Sequence, residues 1–151
     1  MNNKLPKNVI TFGTFDLFHV GHLKILERAA ALGDRLIVGI SSDKLNYDKK
    51  KVYPTYSQQD RQEIVRAIRC VDAVFLEESL ERKREYLLKY NGSILVMGDD
   101  WEGKFDEFSD IVEVVYLKRT ELISTTEAKN RILEAVKVYD PIFPDSSKPV
   151  V

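Results

Sequence analysis

Short apolar runs alternate with amphipathic stretches along most of the chain. Val9-Ile10-Thr11-Phe12 is a β-branched and aromatic run ending at Gly13, and it predicts a first buried strand. Between Leu17 and Leu32, the residues Leu23, Ile25, Leu26, Ala29, Ala30 and Leu32 fall at helical spacing, and Gly33 closes the stripe. Arg35-Leu36-Ile37-Val38-Gly39-Ile40 predicts a second strand, whose unbroken apolar character belongs to a sheet covered on both faces. From Ser41 to Ser57 periodicity is lost among Asp, Lys, Asn and Tyr, which predicts a long loop at the carboxyl end of that strand. Ser57 can cap a helix through Ile64, Val65 and Ile68, with Asp60 in its first turn. Ala73–Leu76, Ile94–Met97 and Val112–Leu117 predict three further strands, and Ser79–Tyr90 a charged helix between the first two of them. Ser124-Thr125-Thr126-Glu127 resembles a capping box that opens a last helix to about Val136.

Strands alternating with helices predict the α/β class, as a single Rossmann-like doubly wound domain on a five-stranded parallel sheet. Ligands of such sheets sit beyond the carboxyl ends of the strands. The domain is expected over residues 1–136; residues 137–151, with Pro141, Pro144 and Pro149, are expected to form an extended or disordered tail. A chain of 151 residues can bury enough apolar surface to fold without disulfides, and its single cysteine, Cys70 among apolar neighbours, reads as an inert thiol. No apolar run approaches a membrane span and none follows the basic N-terminus, so a cytoplasmic protein without membrane insertion is expected. The net charge of −1 argues against a surface built for nucleic acid and makes any anion binding local.

Both histidines of the chain lie in Gly13-Thr14-Phe15-Asp16-Leu17-Phe18-His19-Val20-Gly21-His22, directly after the first strand. At a helix start, residues three apart share a face, so His19 and His22 can aim at one point beside backbone N–H groups that lack helical partners. That is an anion site, with Gly21 admitting a phosphate close to the backbone. Zinc would need three or four protein ligands, and two histidines with one distant cysteine supply too few.

The motif resembles the signature of the HxGH nucleotidylyltransferase superfamily. A second segment, Arg119-Thr120-Glu121-Leu122-Ile123-Ser124-Thr125-Thr126, is similar to the Ser/Thr-rich stretch that opens a late helix there and holds the triphosphate opposite the histidines. Met97-Gly98-Asp99-Asp100-Trp101-Glu102-Gly103-Lys104-Phe105-Asp106 and Val114-Val115-Tyr116-Leu117 narrow the resemblance to the bacterial glycerol-3-phosphate cytidylyltransferase family, over roughly Val9 to Arg131. Leu80, where that family's pattern has tryptophan, and Leu122, where it has glycine, depart from it.

The resemblance implies transfer of CMP from CTP to glycerol 3-phosphate, giving CDP-glycerol for teichoic acids or related polymers and releasing pyrophosphate, in a homodimer that uses Mg²⁺. Another phosphorylated alcohol, an adenylyltransferase of the same superfamily and a nucleotide-binding regulatory module stand as alternatives. An acceptor that is already a phosphate anion can attack without a general base, so positioning and charge absorption are the enzyme's task. The resemblance then implies His19, His22, Lys49 and Arg119 as catalytic groups, and Thr14, Phe15, Gly21, Asp99, Thr120, Ser124, Thr125 and Thr126 as nucleotide contacts. Lys49 from the basic run Lys49-Lys50-Lys51, with Arg69 and Lys83, is expected to hold the acceptor; Arg61 and Arg66 are weaker candidates. Asp16 is either a magnesium ligand or the residue that fixes its loop. Trp101 reads as a packing residue.

Overall fold

The computed structural model describes residues 3–120 and 124–139. Five strands, β1 (Asn8–Gly13), β2 (Arg35–Ser41), β3 (Ala73–Glu77), β4 (Gly92–Gly98) and β5 (Glu113–Leu117), form one parallel sheet in the order β3-β2-β1-β4-β5. This is the doubly wound arrangement that the alternating pattern predicts. The order reverses between β1 and β4, the place where such sheets bind ligands. The helices are α1 (Val20–Ala30), α2 (Asp43–Lys50), α3 (Gln58–Arg66), α4 (Lys83–Lys89) and α5 (Thr125–Tyr139). Among the described residues, no helix is long and apolar enough to cross a membrane.

Alternation along the strands separates two cores. Val9, Val38, Ile40, Ile94 and Val96 face one layer with Leu26 and Ala29 of α1 and Val65 of α3. Ile10, Phe12, Ile37, Phe75, Leu95 and Met97 face the other with Tyr86 and Leu87 of α4. The strands are buried on both sides, which is why they read as continuous apolar runs. The one polar side chain in the middle of β1, Thr11, donates its hydroxyl to the Val96 carbonyl at 2.7 Å and so keeps its hydrogen bond inside the core. Gly39 is required by packing, since a Cβ there would stand 2.6 Å from Phe12 and 2.8 Å from Phe75.

Several boundaries differ from the sequence reading: α1 is confined to Val20–Ala30, and α3 ends at Arg66, short of Ile68. The stretch 41–57 contains α2, capped by Ser42, whose hydroxyl accepts from the Leu45 N–H at 3.1 Å. It carries no apolar stripe because it buries only Leu45 and Asn46. The charged helix begins at Lys83 rather than Ser79. Helix α5 continues past Val136 to Tyr139, so residues 137–139 belong to the helix, while the remainder of the expected tail lies outside the described residues. Ser57 caps α3 as expected, accepting from the Asp60 N–H at 3.2 Å.

Candidate active site

The carboxyl ends of β1, β2, β3 and β4 and the segment after β5 surround a cleft of about 780 Å³, within the range of small-molecule sites. Its lining includes Thr14, Phe15, Asp16, His19, Gly21, His22, Lys49, Lys83, Arg119, Thr120, Ser124, Thr125 and Thr126. Strand order distributes them. The lysines follow β2 and β3 on one side, Arg119, Thr120 and the start of α5 follow β5 on the other, and the histidines follow the central β1.

His19 is the N-cap of α1. Its Nδ1 accepts from the Gly21 N–H at 3.0 Å, and the Nδ1 of His22 accepts from the His19 N–H at 3.3 Å, a reciprocal cap built from two imidazoles. The rings stack at 3.8 Å between centroids. An Nδ1 that accepts leaves the ring proton of a neutral imidazole on Nε2. The Nε2 of His19 is buried and has no partner among the described residues, a donor held ready at the cleft. Burial holds His22 down to about 4, and the neighbouring His19 and Arg119 charges add to this while Asp16 opposes it. His19 is also lowered, by burial first and then by Arg119. Both rings are therefore neutral donors at pH 7.

The loop that delivers them is strained. Phe15 and Leu17 hold φ of 52° and 46°, left-handed conformations that non-glycine residues adopt at a cost of order 1 kcal/mol or more each. Gly13 makes room, since a Cβ there would lie 2.7 Å from the Phe15 ring. Arg61, with no exposed surface, ties the loop down: its guanidinium donates to the carbonyls of Thr14 (2.8 Å), Ser41 (2.9 Å) and Tyr56 (3.0 Å) and to Asp43 Oδ1 (2.8 Å). Arg61 is thus a buried strut, with four of its five N–H donors spent within the protein.

Asp16 fixes a loop. Its carboxylate accepts from the N–H groups of Thr55 (2.7 Å) and Tyr56 (2.9 Å), and Lys129 Nζ lies 3.7 Å away. Burial raises its pKa, but the two N–H donors and Lys129 together bring it below the usual carboxylate value. With both oxygens engaged and a lysine alongside, these residues do not fit a protein-held magnesium ion. Thr125 donates its hydroxyl to the Asp16 carbonyl at 3.0 Å, and Ser124 accepts from the Glu127 N–H at 3.0 Å as the cap of α5. Of the three hydroxyls at the start of α5, Thr126 is the exposed one.

Three expected residues fall elsewhere. Arg69 is exposed beyond the end of α3; that helix runs back against the strands, so Arg69 emerges beside the start of β3, at the opposite end of the sheet from the cleft. Arg66, also exposed, lies at the same end. Asp99 is exposed at the start of a 3-10 turn and does not line the cleft, whereas Asp100 does, with Arg119 Nη1 4.0 Å from its carboxylate. Trp101 packs against Phe105 at 5.6 Å while also reaching the cleft. Leu122 lies outside the described residues. Cys70 is half-buried against the first core with its thiol pushed up by burial, so it stays protonated.

Glu77, Asn46 and Lys129 line the cleft without having been singled out in the sequence. Asn46 accepts from the Thr14 hydroxyl at 2.7 Å, and Glu77 forms a buried pair with Lys83. Two of them carried a signal: Lys129 is one helical turn beyond Thr125, and Glu77 ends a strand, where this fold places functional groups.

An α/β domain with paired neutral histidines at the switch point, a hydroxyl-rich helix start and flanking lysines is built to hold phosphoanhydrides. The chain belongs to the cytidylyltransferase-like family, whose model matches residues 10–131. It is 54% identical over 127 residues to a glycerol-3-phosphate cytidylyltransferase of Bacillus subtilis (strain 168), covering 83% of this chain and 97% of the relative. It is 47% identical over 127 residues to a glycerol-3-phosphate cytidylyltransferase of Staphylococcus aureus (strain NCTC 8325 / PS 47), covering 83% and 95%. Among solved structures, a lipopolysaccharide core biosynthesis protein from Thermoplasma volcanium GSS1 shares the fold, with a TM-score of 0.66, 20% identity, and coverage of 77% of this chain and 99% of that one.

Proposed function

We propose that this chain transfers CMP from CTP to sn-glycerol 3-phosphate, releasing pyrophosphate and forming CDP-glycerol. The observation that carries the reading is the placement of two anion-binding sets along one cleft, with the neutral histidines between them. On the β5 side, Arg119, Thr120 and the hydroxyls of Ser124 and Thr126 suit the β- and γ-phosphates of the triphosphate, while the Thr125 hydroxyl holds the Asp16 loop. On the β2–β3 side, Lys49 and Lys83 suit the phosphate of the acceptor. The α-phosphorus then lies over His19 and His22. An acceptor phosphate oxygen attacks it, the bond to the β-phosphate oxygen breaks, and pyrophosphate carries the charge away. The Nε2–H groups meet the charge developing on the α- and β-phosphates, and their preorganisation is what lowers the barrier. Magnesium arrives in this reading with the triphosphate, as part of the substrate.

The relatives matched over nearly their whole length support the acceptor. So does the charge of the subsite: the carboxylate beside it, Glu77, is engaged by Lys83 and Ser41, and the two ammonium groups of Lys49 and Lys83 outweigh it by one positive charge, which would repel a choline or ethanolamine head. The enzyme is read as a cytoplasmic homodimer, and α5 leaves Ile132, Leu133, Val136 and Val138 exposed for a second copy to cover. A pyrophosphate-release assay over four nucleoside triphosphates and the phosphates of glycerol, ribitol, ethanolamine and choline tests the reaction. CTP with glycerol 3-phosphate is expected to give the highest kcat/KM; faster turnover with any other acceptor replaces the substrate, and faster turnover with ATP replaces the nucleotide.

A further inference from the structure

Glu77 ends β3 with 1% of its surface exposed, yet it lies in the floor of the cleft. Its two oxygens are fully assigned: Oε1 accepts from the Ser41 hydroxyl at 3.1 Å, and Oε2 from the Lys83 ammonium at 2.6 Å. Lys83, 2% exposed, stands with Nζ 3.5 Å from the centroid of Phe12 and 5.3 Å from that of Phe105. An ammonium in so apolar a setting is deprotonated readily unless a fixed negative charge accompanies it. The groups that face Lys83 are Glu77 from β3, Lys49 from α2, and the Phe12 and Phe105 rings from β1 and the segment after β4. Glu77 is the sole negative charge of that set.

We infer that Glu77 is a positioning residue for the acceptor, holding Lys83 charged and aimed into the cleft so that it can grip the incoming phosphate. This rests on the cytidylyltransferase reading of the site. With no oxygen free, Glu77 touches neither substrate; it acts through Lys83. Burial pushes the Lys83 ammonium below the ordinary lysine value, the Glu77 charge and hydrogen bond oppose that, and Lys49 reinforces it. The carboxylate also cancels one of the two lysine charges when the cleft is empty, so the lysines can lie close together without a bound anion.

Steady-state kinetics of Glu77→Gln between pH 6.5 and 9.5 test this. Glutamine keeps the shape and loses the charge. At pH 8.5 the KM for sn-glycerol 3-phosphate is expected to rise roughly tenfold or more, with the KM for CTP within about twofold. The acceptor KM should recover as pH falls and protons restore the ammonium, and Glu77→Asp should stay nearer the wild type. An acceptor KM that is raised equally at every pH, or a CTP KM raised as much, overturns the inference. Should Glu77→Gln fail to fold, Lys83→Arg decides: a guanidinium stays charged throughout, so the rise in acceptor KM expected of the wild type at the alkaline end must flatten, and its persistence overturns the inference. The titration of the Lys83 ε-carbon by NMR, with and without Glu77→Gln, needs no acceptor. The signal must titrate at lower pH in the variant, and an unmoved midpoint overturns the inference even if glycerol 3-phosphate proves to be the wrong substrate.

Discussion

In His19 the cap and the chemistry use different nitrogens: Nδ1 receives the Gly21 N–H while Nε2, buried at the cleft, has no partner among the described residues. The two functions are therefore separable by substitution. Asparagine caps helices well but lacks a group at the Nε2 position, so His19→Asn should melt close to wild type and lose about two orders of magnitude in kcat. His19→Ala should lose the same rate and additionally about 1 kcal/mol of stability. Turnover near normal in His19→Asn, measured by pyrophosphate release, would remove the assigned role. The second prediction is one of pH. The folded value of His22, about 4, lies below the ordinary histidine value of 6.5, so on acidification the unfolded chain takes the proton first. The stability attached to neutral His22 is complete above pH 6.5 and declines as pH falls toward 4. Thermal melts from pH 7.5 to 4.5 should show His22→Gln losing less stability than wild type over that window; parallel curves would contradict the assigned neutral state. The histidine pair was legible in the sequence because a glycine between two histidines after a strand has few other uses. The tautomer was not, because it depends on which backbone N–H each ring meets.

At the scale of elements, Asp16 joins three of them: the loop after β1, the α2–α3 connection through Thr55 and Tyr56, and α5 through Lys129 and the Thr125 contact to its carbonyl. In Asp16→Asn the amide can accept one N–H but presents donors at its other end, leaving Thr55 or Tyr56 unpaired at about 1–3 kcal/mol. Faster hydrogen exchange at those two amides and a raised KM for CTP are expected, whatever the magnesium concentration; unchanged exchange with a shifted magnesium dependence would point to a metal ligand instead. Helix α2 escaped the sequence reading for a physical reason. It lies at the cleft rim with little core to cover, so its order comes from the Ser42 cap, the exposed Lys44–Asp48 pair and the Asn46 bonds to the carbonyls of Ser41 and Ser42, none of which leaves a periodic trace. Arg69 was legible and went unread: it stands just before the strand Ala73–Glu77, and residues that precede a strand of a parallel sheet lie at its amino end, away from the cleft.

Over the whole molecule, a net charge of −1 coexists with a cleft lined by Lys49, Lys50, Lys83, Arg119 and Lys129, so anion binding is local and should dominate the ligand-linked stability. Saturating CTP with magnesium should raise Tm by several degrees, consistent with about 2.7 kcal/mol at a hundredfold excess over Kd, and ATP at equal concentration should do so much less. Equal shifts would mark a site that holds triphosphates without reading the base. The parallel sheet and the location of the cleft beyond its carboxyl ends followed from the alternation of runs; the strand order β3-β2-β1-β4-β5, what distinguishes Asp100 from Asp99, and the partner of Glu77 are matters that only three dimensions supply. The buried guanidinium of Arg61, which straps the phosphate loop, β2, α2 and α3 together, has a consequence for anyone mapping the protein by mutagenesis. In a library scored by growth or product alone, Arg61 would rank beside the histidines. Scored in parallel for soluble abundance, it would part company with them, because its replacement depletes the folded molecule whereas theirs yields an intact and idle one.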